Sequence, residues 1–390
     1  MSLYSTTARQ RLPPEVTDQI IDHLHGDTNA LKKCNFVCRD WRPAARYHLF
    51  HEVKLSGKRS NSLAVLLHGQ LSPLSTSICI LNVSEIASNI YTSSSALDKA
   101  FPTLASSLPA VHTLRLSNVN VSYLSPASVY SLIHGFQSVK TLHMTSVIFH
   151  RFEDFTQLIR GHELQELKLR NVWWESEESE SDAFRHSPSQ NSISRKSTPC
   201  RVILHDVSHR ISSWLASGTC PLNIVDLDYC TTLDYNLTSL ETLLSGIGAN
   251  LRNLTLNLHP MTHPLLVTEG VQCPQLLSLS PNLKSLAFAG IVLIPPLSKG
   301  YEWIVKFLEQ VSTDQVEVVS FYILCNQLPA LDHFPWKNIA PILSSPIYKR
   351  LRKVVFHHKG DAGHRVKSMI EQHLSLLLSG SVGLDFISTY

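Results

Sequence analysis

The hexapeptides Val111-His112-Thr113-Leu114-Arg115-Leu116, Val139-Lys140-Thr141-Leu142-His143-Met144 and Leu164-Gln165-Glu166-Leu167-Lys168-Leu169 are apolar at their first, fourth and sixth positions. The last two apolar residues flank one polar residue, the period of a strand with a single buried face. The pattern recurs upstream at Phe50/Val53/Leu55 and Ile78/Leu81/Val83. Downstream it recurs at Leu222/Val225/Leu227, Leu251/Leu254/Leu256, Leu283/Leu286/Phe288, Val316/Val319/Phe321 and Leu351/Val354/Phe356. One double-length gap is filled by a degenerate copy at Pro199/Val202/Leu204, and a weak last copy lies at Leu384/Phe386. A unit of this size cannot bury its own apolar face, so stacked neighbours must share one continuous core.

Between the copies, Ser128 to Ile133, Leu237 to Ile247 and Glu302 to Val311 carry apolar residues at helical spacing. Strand and helical return therefore alternate, and the fold class is α/β with a parallel sheet. The array resembles the leucine-rich-repeat solenoids, of an irregular kind. Three residues after the last apolar position, where that family usually has Asn or Cys, this chain has Cys only at Cys230. Elsewhere it has Val119, Val147, Val172, His259, Ile291 or Leu324, so an asparagine ladder is absent. An ordinary α/β domain is the competing reading, disfavoured by the number of near-regular copies.

Composition narrows the function. The chain has 390 residues, with 34 Lys+Arg against 31 Asp+Glu, so its formal charge is +3 and nucleic acid is not an expected partner. Residues 1 to 10 contain no apolar signal region, and no stretch approaches the ~18 apolar residues that span a bilayer. Eight cysteines show neither the density nor the spacing of a disulfide framework. The expectation is a reduced intracellular protein without membrane contact, cytoplasmic and/or nuclear. The basic run Lys349-Arg350-x-Arg352-Lys353 reads equally as strand and turn or as a nuclear signal.

The first fifty residues have a different period. Pro13 and Pro14 open a helix carrying Val16, Ile20, Ile21 and Leu24. Gly26 ends it, Asp27 or Thr28 caps a second bearing Leu31, Cys34, Val37 and Cys38, and a third carries Trp41, Ala45 and Leu49. The segment RLPPEVTDQIIDHLHGDTNALKKCNFVCRDWRPAARYHLF, residues 11–50, resembles an F-box in its Leu-Pro start, Val-Cys-Arg-x-Trp core and Leu-Phe end. The resemblance implies docking to a Skp-family adaptor and, through it, to a cullin-RING ubiquitin ligase. It places Leu12, Pro13, Ile20, Ile21, Leu24, Leu31, Val37 and Trp41 at the adaptor. The plainer reading makes these residues the core of a small helical cap. The expected organisation is a flexible 1–10, an F-box at 11–50, and a repeat array over 51–390 that recognises a protein substrate. The alternative is a ligase-independent leucine-rich-repeat interaction scaffold.

No phosphate-binding loop, nucleophile elbow, dinucleotide fingerprint or His-Glu-x-x-His motif is present, so neither an enzyme nor a cofactor is expected. Cys34 with Cys38, and His357, His358, Asp361 and His364, have the residue types of metal ligands but lack a matching second pair or a common face, so no metal is expected. Gly246-x-Gly248 reads as a helix terminator. Residues 175–198 alternate acids with serines and read as a solvated, disordered insertion, with a phosphorylated acidic switch as the sharper alternative. The residue between the last two apolar positions of each copy should face outward. That row reads Lys54, Asn82, Arg115, His143, Lys168, then Asp226, Thr255, Ala287, Ser320, Val355. Its basic first half makes Arg115, His143 and Lys168 the expected contacts for an acidic or phosphorylated substrate.

Overall fold

The computed structural model of the chain describes residues 13–68, 75–85, 95–176, 198–232, 237–258, 275–293, 301–325, 328–359, 363–375 and 382–389. Its strands are β1 (Glu52–Ser56), β2 (Ile80–Ser84), β3 (Thr113–Ser117), β4 (Thr141–Phe149), β5 (Glu166–Trp174) and β6 (Pro199–His205). The series continues with β7 (Asn223–Thr231), β8 (Asn253–Leu258), β9 (Ser285–Leu293), β10 (Val318–Cys325), β11 (Lys353–Lys359) and β12 (Gly383–Thr389). Their order in the sheet is their order in the chain. That arrangement, with parallel pairing and helical returns, is the leucine-rich-repeat layout anticipated from the periodicity. The chain divides into two compact units, Met1–Thr141 with Val147–His162, and Leu142–Ser146 with Glu163–Tyr390.

The first unit begins with α1 (Pro14–His23), α2 (Thr28–Val37) and α3 (Arg42–Phe50). Pro14 and Pro43 fall in first turns, where a missing N–H costs nothing. Asp27 caps α2, its Oδ1 accepting from Asn29 N at 3.0 Å and Ala30 N at 2.9 Å. Ile21, Leu31, Cys34 and Ala45 form the small core of the three helices, with Leu24, Trp41, Ala44 and Leu49 packed against it. The sheet follows at once: Leu55 pairs with Val83 and Val83 with Leu116, all buried.

In the second unit the inward residues of neighbouring strands stack. Phe288, Phe321 and Phe356 share one register, with ring centroids 5.7 Å and 5.0 Å apart. Trp303, on the return helix Glu302–Glu309, meets Phe288 edge-on. Of the glycine pair expected to end a helix, Gly248 is the C-cap and Gly246 is not. Gly246 lies within the helix Thr238–Ile247, where a Cβ would stand 2.3 Å from the Ala216 carbonyl oxygen, so glycine there permits close approach to the preceding return helix.

The missing asparagine position has a geometric explanation. Two residues after the second buried strand position the backbone is left-handed, at Asn118 (φ 54°), Ser146 (φ 53°), Asn171 (φ 51°), Asp206 (φ 48°) and Gly290 (φ 71°). These are residue types that tolerate that conformation. The turn changes the face of the next residue, so Val119, Val147, Val172 and Ile291 enter the core where the usual family has a polar side chain. The repeat of this chain is therefore apolar-x-apolar-x-(Asn/Asp/Ser/Gly)-(Val/Ile) in five of its copies.

Strand β7 corrects the sequence reading. Cys200 pairs with Ile224 but Arg201 with Asp226, which leaves Val225 as an extra residue. Such a bulge shifts the register. Leu227 and Tyr229, rather than Val225 and Leu227, align with Leu254 and Leu256, and Asp228 replaces Asp226 in the outward row.

Candidate functional site

Two surfaces carry the candidate residues. On the three helices, Pro13, Ile20 and Val37 are exposed, and Leu24 and Trp41 are half-buried. Ile21 and Leu31 lie wholly in the interior, which removes them from the contact face proposed for them. The reason is angular: adjacent residues of a helix stand about 100° apart, so with Ile21 turned into the core Ile20 falls at the edge of that stripe. Leu12 lies outside the described residues. Four exposed apolar residues were not anticipated as contacts, Val16, Phe36, Tyr47 and Phe50; Phe36 is the most open at 80% exposure, beside Val37 at 59% and Ile20 at 41%. The signal for Phe36 was its place off the buried stripe of α2. A hydrogen bond between His48 Nε2 and Asp22 Oδ1, 2.7 Å, ties α3 to α1.

The second surface is the outward face of the sheet. In the first unit Lys54, Asn82 and Arg115 occupy one register. Glu52 gathers all three, accepting from Asn82 Nδ2 at 2.6 Å and lying 3.4 Å from Lys54 Nζ and 3.9 Å from Arg115 Nη1. In the second unit His143 Nε2 meets Glu166 Oε1 at 2.6 Å. Of the three expected substrate contacts, Arg115 and His143 are thus already matched to carboxylates, while Lys168 makes no ion pair among the described residues. Exposed pairs of this kind contribute roughly 0–1 kcal/mol, so they exchange readily with an incoming ligand.

Across β5 to β7 the outward face alternates in charge: Glu166, Arg201 and Asp226 in one row, then Lys168, Ile203 and Asp228, then Arg170, His205 and Cys230. Burial pushes the Asp228 carboxyl above its ordinary range, against the pull of His205, Arg201 and Lys168. Burial also lowers His205, outweighing the opposite pull of Asp228, and raises the Cys230 thiol to about 11. Cys230 is therefore no nucleophile at neutral pH.

Farther along, the outward face closes. Ala287, Ser320 and Val355 are 7%, 8% and 6% exposed, although each alternates with core residues and points away from them. Beside them Tyr322 stacks flat on His357, with centroids 4.1 Å apart and planes within 3°. His358 turns to the other face and is buried, its Nε2 lying 3.1 Å from the Cys325 carbonyl oxygen. Asp361 lies outside the described residues. Cys34 is buried and Cys38 exposed, so they do not converge. No group of three or more His, Cys, Asp or Glu side chains among the described residues is placed to hold a metal. No helix among them is long and apolar enough to cross a membrane.

The basic run at 349–353 is engaged locally. Lys349 meets Asp314 at 2.6 Å, Arg350 donates to Gln315 at 2.7 Å and Arg352 lies 3.9 Å from Glu317. Lys349 and hydrogen bonding hold the Asp314 carboxyl below its ordinary value. Residues 177–197, most of the expected acidic insertion, lie outside the described residues. Strands β5 and β6, which flank that stretch, pair in parallel from Glu166↔Arg201 to Arg170↔His205.

No protein-family model matches the chain. No curated protein matches it either. Among solved structures it is similar to an internalin (inlF) from Listeria monocytogenes at 12% sequence identity, covering 98% of this chain and 73% of that one, with a TM-score of 0.21. A score of that size carries no argument, and the fold described above rests on the strand order and registers themselves.

Proposed function

We propose that the chain is a substrate-recognition subunit of a Skp/cullin/F-box ubiquitin ligase: the three amino-terminal helices dock a Skp-family adaptor, and the outward sheet face holds a protein substrate. It performs no chemistry of its own. Holding ligase and target on one chain raises their effective concentration and makes transfer nearly intramolecular. The observation that carries the proposal is the apolar exposure of Ile20, Phe36 and Val37 on helices whose own core is complete without them. It joins the motif resemblance of residues 11–50. Leu12 and Pro13 belong to the same proposed contact.

The test is co-purification of adaptor and cullin with the full chain. Ile20→Asp and Val37→Asp should each remove both, because a charge pressed against an apolar partner costs several kcal/mol, and melting temperature should stay unchanged. Adaptor retained by both variants would defeat the proposal. Adaptor without cullin in the wild-type purification would favour the scaffold reading instead.

A further inference from the structure

The outward face of β7 to β11 combines a covered floor, an exposed aromatic ring and two polar groups without partners among the described residues. Ala287, Ser320 and Val355 form the floor, covered although they point away from the core. Tyr322 stands above it, 42% exposed, with one ring face against His357. Its other flank faces β9, where Ala289 and Gly290 together oppose it in a bulge. Those two residues present only a methyl group and a hydrogen, so no β9 side chain can stack on Tyr322 there. Gly290 is required, since its φ is 71° and a Cβ would lie 2.1 Å from Asn257 Oδ1.

Asn257 is next in that register, paired with Ala289, and its amide makes no hydrogen bond among the described residues. Asp228 lies two strands from Ala287 in the floor register. Its carboxylate makes neither hydrogen bond nor ion pair among the described residues. Lys168, Arg201 and His205 border it on the β5 and β6 side, and none of them forms an ion pair with it among the described residues. A half-buried carboxylate in that position loses hydration without recovering a partner, and an approaching cation supplies one.

We propose that this trough binds an extended basic segment of a partner protein, with one arginine laid on the open face of Tyr322 and donating to Asn257 Oδ1, and a second basic residue directed at Asp228. A guanidinium suits the first position because it is planar, weakly hydrated and able to stack while it donates. The spacing follows from the sheet. Asp228 on β7 and Tyr322 on β10 are three strand steps apart and offset by two residues along the strand, roughly 16 Å, which two long basic side chains four residues apart on an extended chain can span. Residues four apart in an extended chain also project to one side. The inference does not depend on adaptor docking, since every residue it uses lies on the sheet of the second unit.

The experiment is fluorescence anisotropy of the full chain with labelled synthetic peptides. The probes are Ala-Arg-Ala-Ser-Ala-Arg-Ala, the same peptide with both arginines replaced by glutamate, and one with a single arginine. The two-arginine peptide should bind at least about tenfold tighter than the glutamate peptide, equivalent to ~1.4 kcal/mol. Tyr322→Ala should weaken it about tenfold, whereas Tyr322→Phe, which keeps the ring, should stay within about twofold. Asp228→Asn should weaken the two-arginine peptide and leave the single-arginine peptide unchanged. Equal binding of arginine and glutamate peptides, no binding of either, or binding indifferent to both Tyr322→Ala and Asp228→Asn would overturn the proposal.

Discussion

The outward faces of β1–β3 and of β8–β11 are built on the same register but solve opposite problems. On β1–β3 the row residues are long and polar, and one carboxylate, Glu52, gathers Lys54, Asn82 and Arg115. On β9–β11 the row is Ala287, Ser320 and Val355, short side chains covered by what stands around them. Charge in the first is met locally and remains hydrated. In the second, dehydrated surface lies beside Asp228 and Asn257, which have no partner among the described residues. Equivalent positions in a repeat thus share a backbone without sharing an environment.

The sharpest way to break this contrast is one substitution at two equivalent places. Ser320→Glu should cost about 3 kcal/mol or more in urea unfolding, because the carboxylate is introduced where water is excluded. Asn82→Glu should cost less, about 1 kcal/mol: it loses the hydrogen bond to Glu52 and sets two carboxylates together, but both stay hydrated between Lys54 and Arg115. Similar losses at both sites would show that the two faces do not differ in hydration. Next in size is Gly290→Val, expected to lose about 2 kcal/mol, because a β-branched residue is strained at positive φ and crowds Asn257. Asn118→Gly, at the matching turn of β3, should stay within about 0.5 kcal/mol. If both changes proved neutral by the same urea assay, the left-handed turn would not be a structural element of the repeat.

The smallest expected effect sharpens the electrostatic half of the comparison. Burial raises the Asp228 carboxyl, so just above the ordinary carboxylate range the folded chain keeps a proton that the unfolded chain has lost. Stability should therefore decline as pH rises through that window. Asp228→Asn should abolish the decline and stabilise the protein at pH 7 by less than about 1 kcal/mol. Glu52→Gln should instead lose slightly at pH 7, because it gives up the ion pairs with Lys54 and Arg115. Urea midpoints measured from pH 4 to 7 for both variants decide it; a destabilised Asp228→Asn would mean that its carboxylate has a partner in solution.

Much of the array was legible because its signal is local and repeated. Buried pairs such as Leu114/Leu116 and Leu167/Leu169 alternate with single polar residues, and nothing but a strand buries that pattern on one face. The shift in β7 was not legible, since Val225 is as apolar as the residue it displaces and only pairing with β6 reveals it as the extra one. The left-handed turn was written in the sequence as Ser117-Asn118-Val119, Thr145-Ser146-Val147 and Arg170-Asn171-Val172, but one residue earlier than the family pattern directs attention. Among the site residues, Arg115, His143 and Lys168 were placed on the outward face by alternation alone. Whether they are free is a matter of which carboxylates stand across the strand gap.

By itself the sequence determined the period of the repeat, the alternation of strand and return, the separate three-helix start and the residues that point inward. These follow from short-range periodicity, which a chain carries in its order of residues. Only the tertiary structure decided that Ile21 and Leu31 serve the helical core, that Glu52 and Glu166 occupy Arg115 and His143, and that Ala287, Ser320 and Val355 lie covered while Tyr322 stands open. Exposure and pairing are properties of neighbours brought together from distant parts of the chain, and the charge or size of a side chain does not specify them until those neighbours are in place.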